Sequence, residues 1–214
     1  MKKLLRGIVD FHDKVRPNYR KIFAKLALAQ KPDALLICCS DSRVAPNVFA
    51  STDPGDLFVI RNVGNLIPVV EGGSAAAAVE FALSNLDVKD IIVCGHSECG
   101  AMCALVEGRR QIDGPNLKRW LKHADSSLER MKKEPDWHSE LSPHNRLSKV
   151  NVLQQLDNLR TYPEVQDRLK QGTLTLHGWW FDIAEAEVYE YVPEIHRFVV
   201  IDETFLKELG KGQV

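Results

Sequence analysis

The chain has 214 residues, 44% of them hydrophobic, and its 28 basic against 29 acidic side chains leave a net charge of −1. That length fills one α/β core without requiring two domains, and the charge balance gives no electrostatic case for nucleic acid or an anionic membrane. No stretch nears the roughly 20 apolar residues of a membrane helix. Met1-Lys2-Lys3-Leu4-Leu5-Arg6-Gly7 starts basic but meets Asp10 and Asp13 before any long apolar run, so no secretion signal is read. The expectation is a single domain over 1–214, cytoplasmic, with an amino-terminal helical arm (1–30) ahead of an α/β core (31–214).

From Leu4 to Leu28 apolar residues fall at 4, 5, 8, 11, 15, 23, 26 and 28, broken by Pro17. This predicts two amphipathic helices with a kink or turn near the proline. Ala34-Leu35-Leu36-Ile37-Cys38-Cys39 reads as a buried strand that delivers Ser40-Asp41-Ser42-Arg43 at its carboxyl end. Asp53-Pro54-Gly55-Asp56 is a turn signal, followed by a second strand, Leu57 to Ile60. Gly72-Gly73-Ser74 opens a helix over Ala75 to Leu86, and matches neither a P-loop nor a dinucleotide fingerprint.

Ile91-Ile92-Val93 is the next strand. Gly95 is read as the turn after it, and His96 and Cys99 leave that corner before a helical pattern from Gly100 to Leu105. Gly108 to Asn145 is polar and helical, a surface excursion in which Trp120, Leu121, Leu128 and Met131 form one stripe. Lys149 to Thr161 is predicted as an amphipathic helix, and Pro163 starts a short one. Leu174 to Phe181 and Glu187 to Tyr191 pair as an antiparallel edge; Phe198 to Ile201 adds a further short strand, and the last residues look frayed. The pattern predicts an α/β fold: a central, mostly parallel sheet of four to five strands with an antiparallel edge, flanked by helices.

Five cysteines (38, 39, 94, 99 and 103) cluster around two strand ends. An odd count in a chain read as intracellular favours metal ligation over a disulfide framework. Ligand sites in open parallel sheets form just beyond the carboxyl ends of strands, so neighbouring strands would bring Cys39 beside His96 and Cys99. A Cys₂His set suits zinc and leaves a fourth position open, as catalytic zinc requires. Asp41 and Arg43, at alternate-residue spacing, can meet as a bidentate pair. Cys38, Cys94 and Cys103 are expected to be small buried hydrophobes, and His177 a structural histidine.

Cys39-Ser40-Asp41-Ser42-Arg43, Arg61-Asn62-Val63-Gly64-Asn65 and Gly95-His96-Ser97-Glu98-Cys99-Gly100 together resemble the signature of the β-class carbonic anhydrases, over about Gln30 to Tyr191. The resemblance implies reversible hydration of carbon dioxide to bicarbonate and a proton. It implies one zinc ion per chain and a zinc hydroxide nucleophile oriented by Asp41 and Arg43. It also implies that the arm packs on a second subunit, with a dimer as the minimum unit and a homodimer or homotetramer as the assembly. Gln30 is then a substrate hydrogen-bond donor across the subunit interface, and Phe58 and Val63 are an apolar lining for carbon dioxide. Phe81 stands in the cleft-lining helix where plant-type members carry Tyr. Leu36, where bicarbonate-regulated members carry Trp, implies the open form in which the Asp does not bind zinc. Two other readings use the same residues: hydrolysis of carbon disulfide or carbonyl sulfide, and a purely structural zinc node.

Overall fold

The computed structural model describes residues 1–69, 72–110 and 112–210. Its strands are β1 (Ala34–Cys39), β2 (Leu57–Asn62), β3 (Asp90–His96), β4 (Thr175–Asp182), β5 (Glu187–Val192) and β6 (Arg197–Val200). They form one sheet in the order β2-β1-β3-β4-β5-β6, with β1 to β4 parallel and β5 and β6 antiparallel. The sheet is mostly parallel with an antiparallel edge, as the pattern predicts, but has six strands rather than four to five. The sixth is the short Arg197–Val200, anchored by buried Phe198.

The helices are α1 (Lys2–Asp10), α2 (Arg16–Leu26), α3 (Pro46–Phe49), α4 (Ser74–Ser84), α5 (Gly100–Val106), α6 (Pro115–Trp120), α7 (Asp125–Lys133), α8 (Pro143–Leu159), α9 (Pro163–Lys170) and α10 (Glu203–Leu209). No helix among the described residues is long and apolar enough to cross a membrane. All six residues of β1 are buried, because the strand has neighbours on both sides and cover on both faces. Leu35 and Ile37, with Ile91 and Val93 of β3, pack against Val79 and Leu83 of α4 and Val152 and Leu156 of α8. Leu36, Cys38, Ile92, Cys94 and Phe181 face the opposite way, towards Val44 and Phe49. Cys38 and Cys94 are therefore the buried apolar thiols expected, whereas Cys103 is only partly buried, and burial pushes Cys38 up to about 11.

Four local expectations change. The corner after β3 is not at Gly95, which lies inside the strand; the turn falls at Glu98, with φ +54°. Glycine at 95 answers a packing need instead, since a Cβ there would lie 2.7 Å from Val152 Cγ2 and 3.2 Å from the Ser148 carbonyl. α8 begins at Pro143 and is buried on nearly all sides, with eleven of its 17 residues inside, rather than amphipathic. Its polar residues are buried because they bond to the chain beside them. Residues 203–209 are helical rather than frayed, capped by Asp202, whose Oδ1 accepts the Phe205 N–H at 2.8 Å; residues 211–214 lie outside the described residues. The stretch from α6 to α7 is no mere surface excursion: Leu121 and Ala124 are buried with Leu66, Met102, Leu105 and Leu147, and Trp120, Leu128 and Met131 pack on that cluster.

The arm keeps its helix through Pro17. A π-helical turn, Phe11–Val15, joins α1 to α2, a widening that accommodates the hydrogen bond a proline cannot make. None of residues 2–26 is buried, and Leu4, Leu5, Ile8, Phe11 and Phe23 are all exposed.

His177 is held between two carboxylates, Nδ1 at 2.7 Å from Glu190 and Nε2 at 3.0 Å from Asp90. The Glu190 bond, with that of Asp90, outweighs burial and raises its pKa. A raised folded-state pKa stabilises the fold fully below the unfolded value of about 6.5 and loses that contribution as pH rises through the folded value. The stability lost in His177→Gln is therefore expected to be larger near pH ~6 than near pH ~9, read by urea unfolding at both. An equal loss at the two values would show that the imidazole is held neutral.

Candidate metal centre

β1 and β3 are neighbours, with Cys38 opposite Cys94, so their carboxyl ends emerge side by side. Cys39 closes β1 and His96 closes β3; Cys99 follows at the N-cap of α5 after the left-handed Glu98. The donor atoms of Cys39, His96 and Cys99 lie within 4.8 Å of one another, and all three residues are buried. His96 Nδ1 meets the Ser97 carbonyl at 2.8 Å, which requires the proton on Nδ1. Nε2 is then a bare lone pair, and it is buried with no hydrogen-bond partner. An orphaned acceptor costs stability unless something binds it, and its position beside two sulfurs fits a zinc ion. One of the two thiols is already biased towards ionisation: hydrogen bonds from Cys99 and the Gly64 N–H draw the Cys39 thiol down, while Cys99, beside it, is pushed up.

The backbone around the cluster is braced from four directions. Ser148 Oγ of α8 donates to the His96 carbonyl (2.8 Å) and accepts the His96 N–H (3.3 Å). Trp180 Nε1 donates to the same hydroxyl at 3.1 Å. Asn145 accepts the Glu98 N–H at 2.7 Å and donates to the Glu98 carboxylate at 3.0 Å, fixing the corner between the two ligands of β3 and α5. Arg61 of β2 donates to the carbonyls of Cys39 (3.0 Å), Asp41 (2.7 Å) and Val44 (2.8 Å), so one guanidinium ties down the whole loop that carries Cys39.

Asp41 stands next to the donors, with Oδ2 4.0 Å from His96 Nε2. Arg43 holds it by three bonds: its N–H and Nε to Oδ1, both 3.0 Å, and Nη2 to Oδ2 at 2.8 Å. The Arg43 side-chain bonds hold the Asp41 carboxyl well below the usual carboxylate range. Arg43 Nη2 also donates to the Glu98 carbonyl at 2.9 Å, joining the Cys39 loop to the His96–Cys99 loop.

Val63, half-exposed, lies in the loop whose Gly64 N–H reaches Cys39 Sγ at 3.3 Å. The other three residues expected at the site do not meet the cluster of their own chain. Phe58 pairs with Leu35, four residues before the Cys39–Asn62 pair, or about 13 Å back along the strand. Phe81 of α4 packs on it with ring centroids 5.8 Å apart, and Gln30 is exposed ahead of β1, at that same far end. Arg61, Asn145 and Ser148 carry work that sequence reading left unassigned. Only Arg61 left a signal, as a lone cation at the end of an apolar strand.

A parallel sheet with a Cys₂His cluster at its strand ends defines an α/β protein with three residues placed to hold one metal ion. The carbonic anhydrase family matches residues 34–188. A carbonic anhydrase of Synechocystis sp. is 42% identical over 205 residues, covering 93% of this chain and 74% of the relative. The structure of the β-carbonic anhydrase CcaA, 41% identical, superposes with a TM-score of 0.87 over 94% of this chain and 98% of its own. One of two tetrameric β-carbonic anhydrases from Sordaria macrospora, 28% identical, gives 0.79 over 88% and 95%. The chain belongs to the β-carbonic anhydrases, a family of enzymes.

Proposed function

We propose that this protein hydrates carbon dioxide reversibly to bicarbonate and a proton, with one zinc ion per chain held by Cys39, His96 and Cys99. The buried, unpartnered His96 Nε2 between two thiols carries the reading. Zinc, when bound, supplies an acidified water that is nucleophilic near neutral pH. Asp41 accepts a hydrogen bond from the attacking oxygen and aims its lone pair at the substrate. Arg43 keeps that carboxylate ionised and still, so that no reorganisation is needed as the new bond forms. Val63 offers an apolar wall for a linear, nonpolar substrate. The intact Asp41–Arg43 pair supports the open form, in which Asp41 is free to accept rather than ligate; buried Leu36 agrees with it.

Gln30, Phe58 and Phe81 complete the site of a second copy. β2 is an outer strand, and Phe81 beside it is exposed. An arm helix with an apolar stripe and no buried residue is marginal alone and asks for cover. A homodimer is the minimum unit, and a homotetramer is supported by the tetrameric Sordaria macrospora relatives. Five free cysteines agree with a reducing, cytoplasmic location.

Stopped-flow hydration from pH ~6.5 to ~9, with zinc content and sedimentation on the same sample, tests the proposal. Expected are about one zinc per chain, activity already high near pH ~7, and a dimer or larger. Full zinc without hydration would overturn the function in favour of the sulfur-substrate or structural reading. An active monomer would remove the roles of Gln30, Phe58 and Phe81.

A further inference from the structure

One peptide group next to the donors is hydrogen-bonded at both ends. The Val63 carbonyl accepts Trp120 Nε1–H at 2.7 Å. The N–H of that same peptide, on Gly64, donates to Cys39 Sγ at 3.3 Å. Asn151 Nδ2 then donates to the Gly64 carbonyl at 3.0 Å, from a fully buried position on α8. Gly64 has φ +81°, and a Cβ there would lie 3.1 Å from Ala101 Cβ. The loop is therefore a glycine whose backbone approaches the sulfur directly and whose orientation two side chains set from outside.

Hydrogen bonds that share a polarisable group strengthen one another. A donor on a ligating thiolate withdraws charge from the sulfur, and such outer partners orient and tune the metal. Trp120 sits at the end of α6, its ring packed on the cluster that contains Cys39 and Cys99 and 5.3 Å from the His123 ring.

We propose that Trp120 is a positioning residue of the metal centre: its indole N–H, acting through the Val63–Gly64 peptide, sets the hydrogen bond on Cys39 Sγ. The same bond holds Val63 in the wall facing the substrate, so sulfur charge and pocket shape share one anchor. The inference rests on the zinc reading above and goes beyond the ligands themselves.

Trp120→Phe removes the donor while keeping a smaller aromatic ring in the cluster; Trp120→Leu removes donor and ring. Both are expected to fold, since the ring is only partly buried, and thermal unfolding checks this. In Trp120→Phe, zinc affinity by chelator competition is expected to fall about tenfold. The thiolate-to-metal charge-transfer band of the cobalt(II)-loaded protein should move to lower energy, because a sulfur with a weaker hydrogen bond gives up an electron more easily. Trp120→Leu should show the same band shift. An unmoved band and unchanged affinity in Trp120→Phe would overturn the proposal. So would a band that moves only in Trp120→Leu, which would assign the effect to packing. A wild-type chain that takes up neither zinc nor cobalt would instead fail the zinc reading beneath it.

Discussion

Asp41→Asn is expected to keep about one zinc per chain and to lose on the order of 100-fold in kcat/KM for carbon dioxide hydration. The two halves of this result have separate causes. Zinc is expected to stay because its proposed donors are Cys39, His96 and Cys99, which lie together without the Asp41 side chain. Activity goes because both carboxylate oxygens are acceptors in use. Oδ1 takes the Arg43 N–H and Nε, and Oδ2 takes Arg43 Nη2 while facing the donors of the metal centre. An amide can supply only one acceptor. With its oxygen at the Oδ1 position, its NH₂ points at a guanidinium 2.8 Å away and offers a donor where the attacking oxygen needs an acceptor. Flipped, it clashes with the Arg43 N–H and Nε instead. Hydration rates and metal content on one preparation decide the matter. Loss of zinc together with activity would make Asp41 a ligand or a structural prop, and full activity would remove it from the mechanism.

The Cys39–His96–Cys99 cluster is legible from sequence because metal sites accept few residue types and parallel strands present them at one end. Cys39 and His96 each close an apolar run at the length of a strand, and Cys99 follows His96 three residues on, so pattern and chemistry agree. Asp41 and Arg43 were legible from spacing alone. The supports were not, for a definite reason. An amphipathic helix over Lys149 to Thr161 puts Asn151, Gln155 and Asn158 on a polar face, because polarity in a helical pattern ordinarily means water, and Ser148 lies just before it. In the fold each is buried and bonded to backbone far away in sequence, Gln155 to Ile67 and Ser148 to His96. Periodicity carries no information about such partners. Gly95 misled in a related way: glycine marks turns, but here it makes room for α8 against β3. Gln30, Phe58 and Phe81 came only through family resemblance, and a single chain gives them no geometry with the donors.

The buried amides of α8 supply the largest expected stability effect. Gln155 is fully buried; its Oε1 accepts the Ile67 N–H at 2.7 Å and Asn158 Nδ2 at 3.1 Å, and its Nε2 donates to Asn151 Oδ1 at 2.9 Å. Gln155→Leu, close in volume, is expected to destabilise the protein by about 2–4 kcal/mol, measured by urea unfolding of the zinc-loaded form. Most of that comes from the Ile67 N–H, left buried with no acceptor. Asn158 Nδ2 still has the Ile67 carbonyl at 2.9 Å, and Asn151 Oδ1 still has Ser127 Oγ at 2.9 Å, so each loses only part of its bonding. A loss below about 1 kcal/mol would mean that the segment relaxes to find other partners, contrary to a rigid ladder. The same variant should shed zinc faster to a chelator. Asn151, deprived of Gln155, grips Gly64 less firmly, and Gly64 is the residue whose N–H reaches Cys39 Sγ. Unfolding of the zinc-loaded form and zinc release should therefore change together in Gln155→Leu beyond what zinc accounts for, whereas Trp120→Phe should lose no more stability than its tenfold weaker zinc binding explains, about 1.4 kcal/mol. The contrast follows from where each side chain sits: Gln155 secures the segment against the helix, and Trp120 only orients one peptide within it.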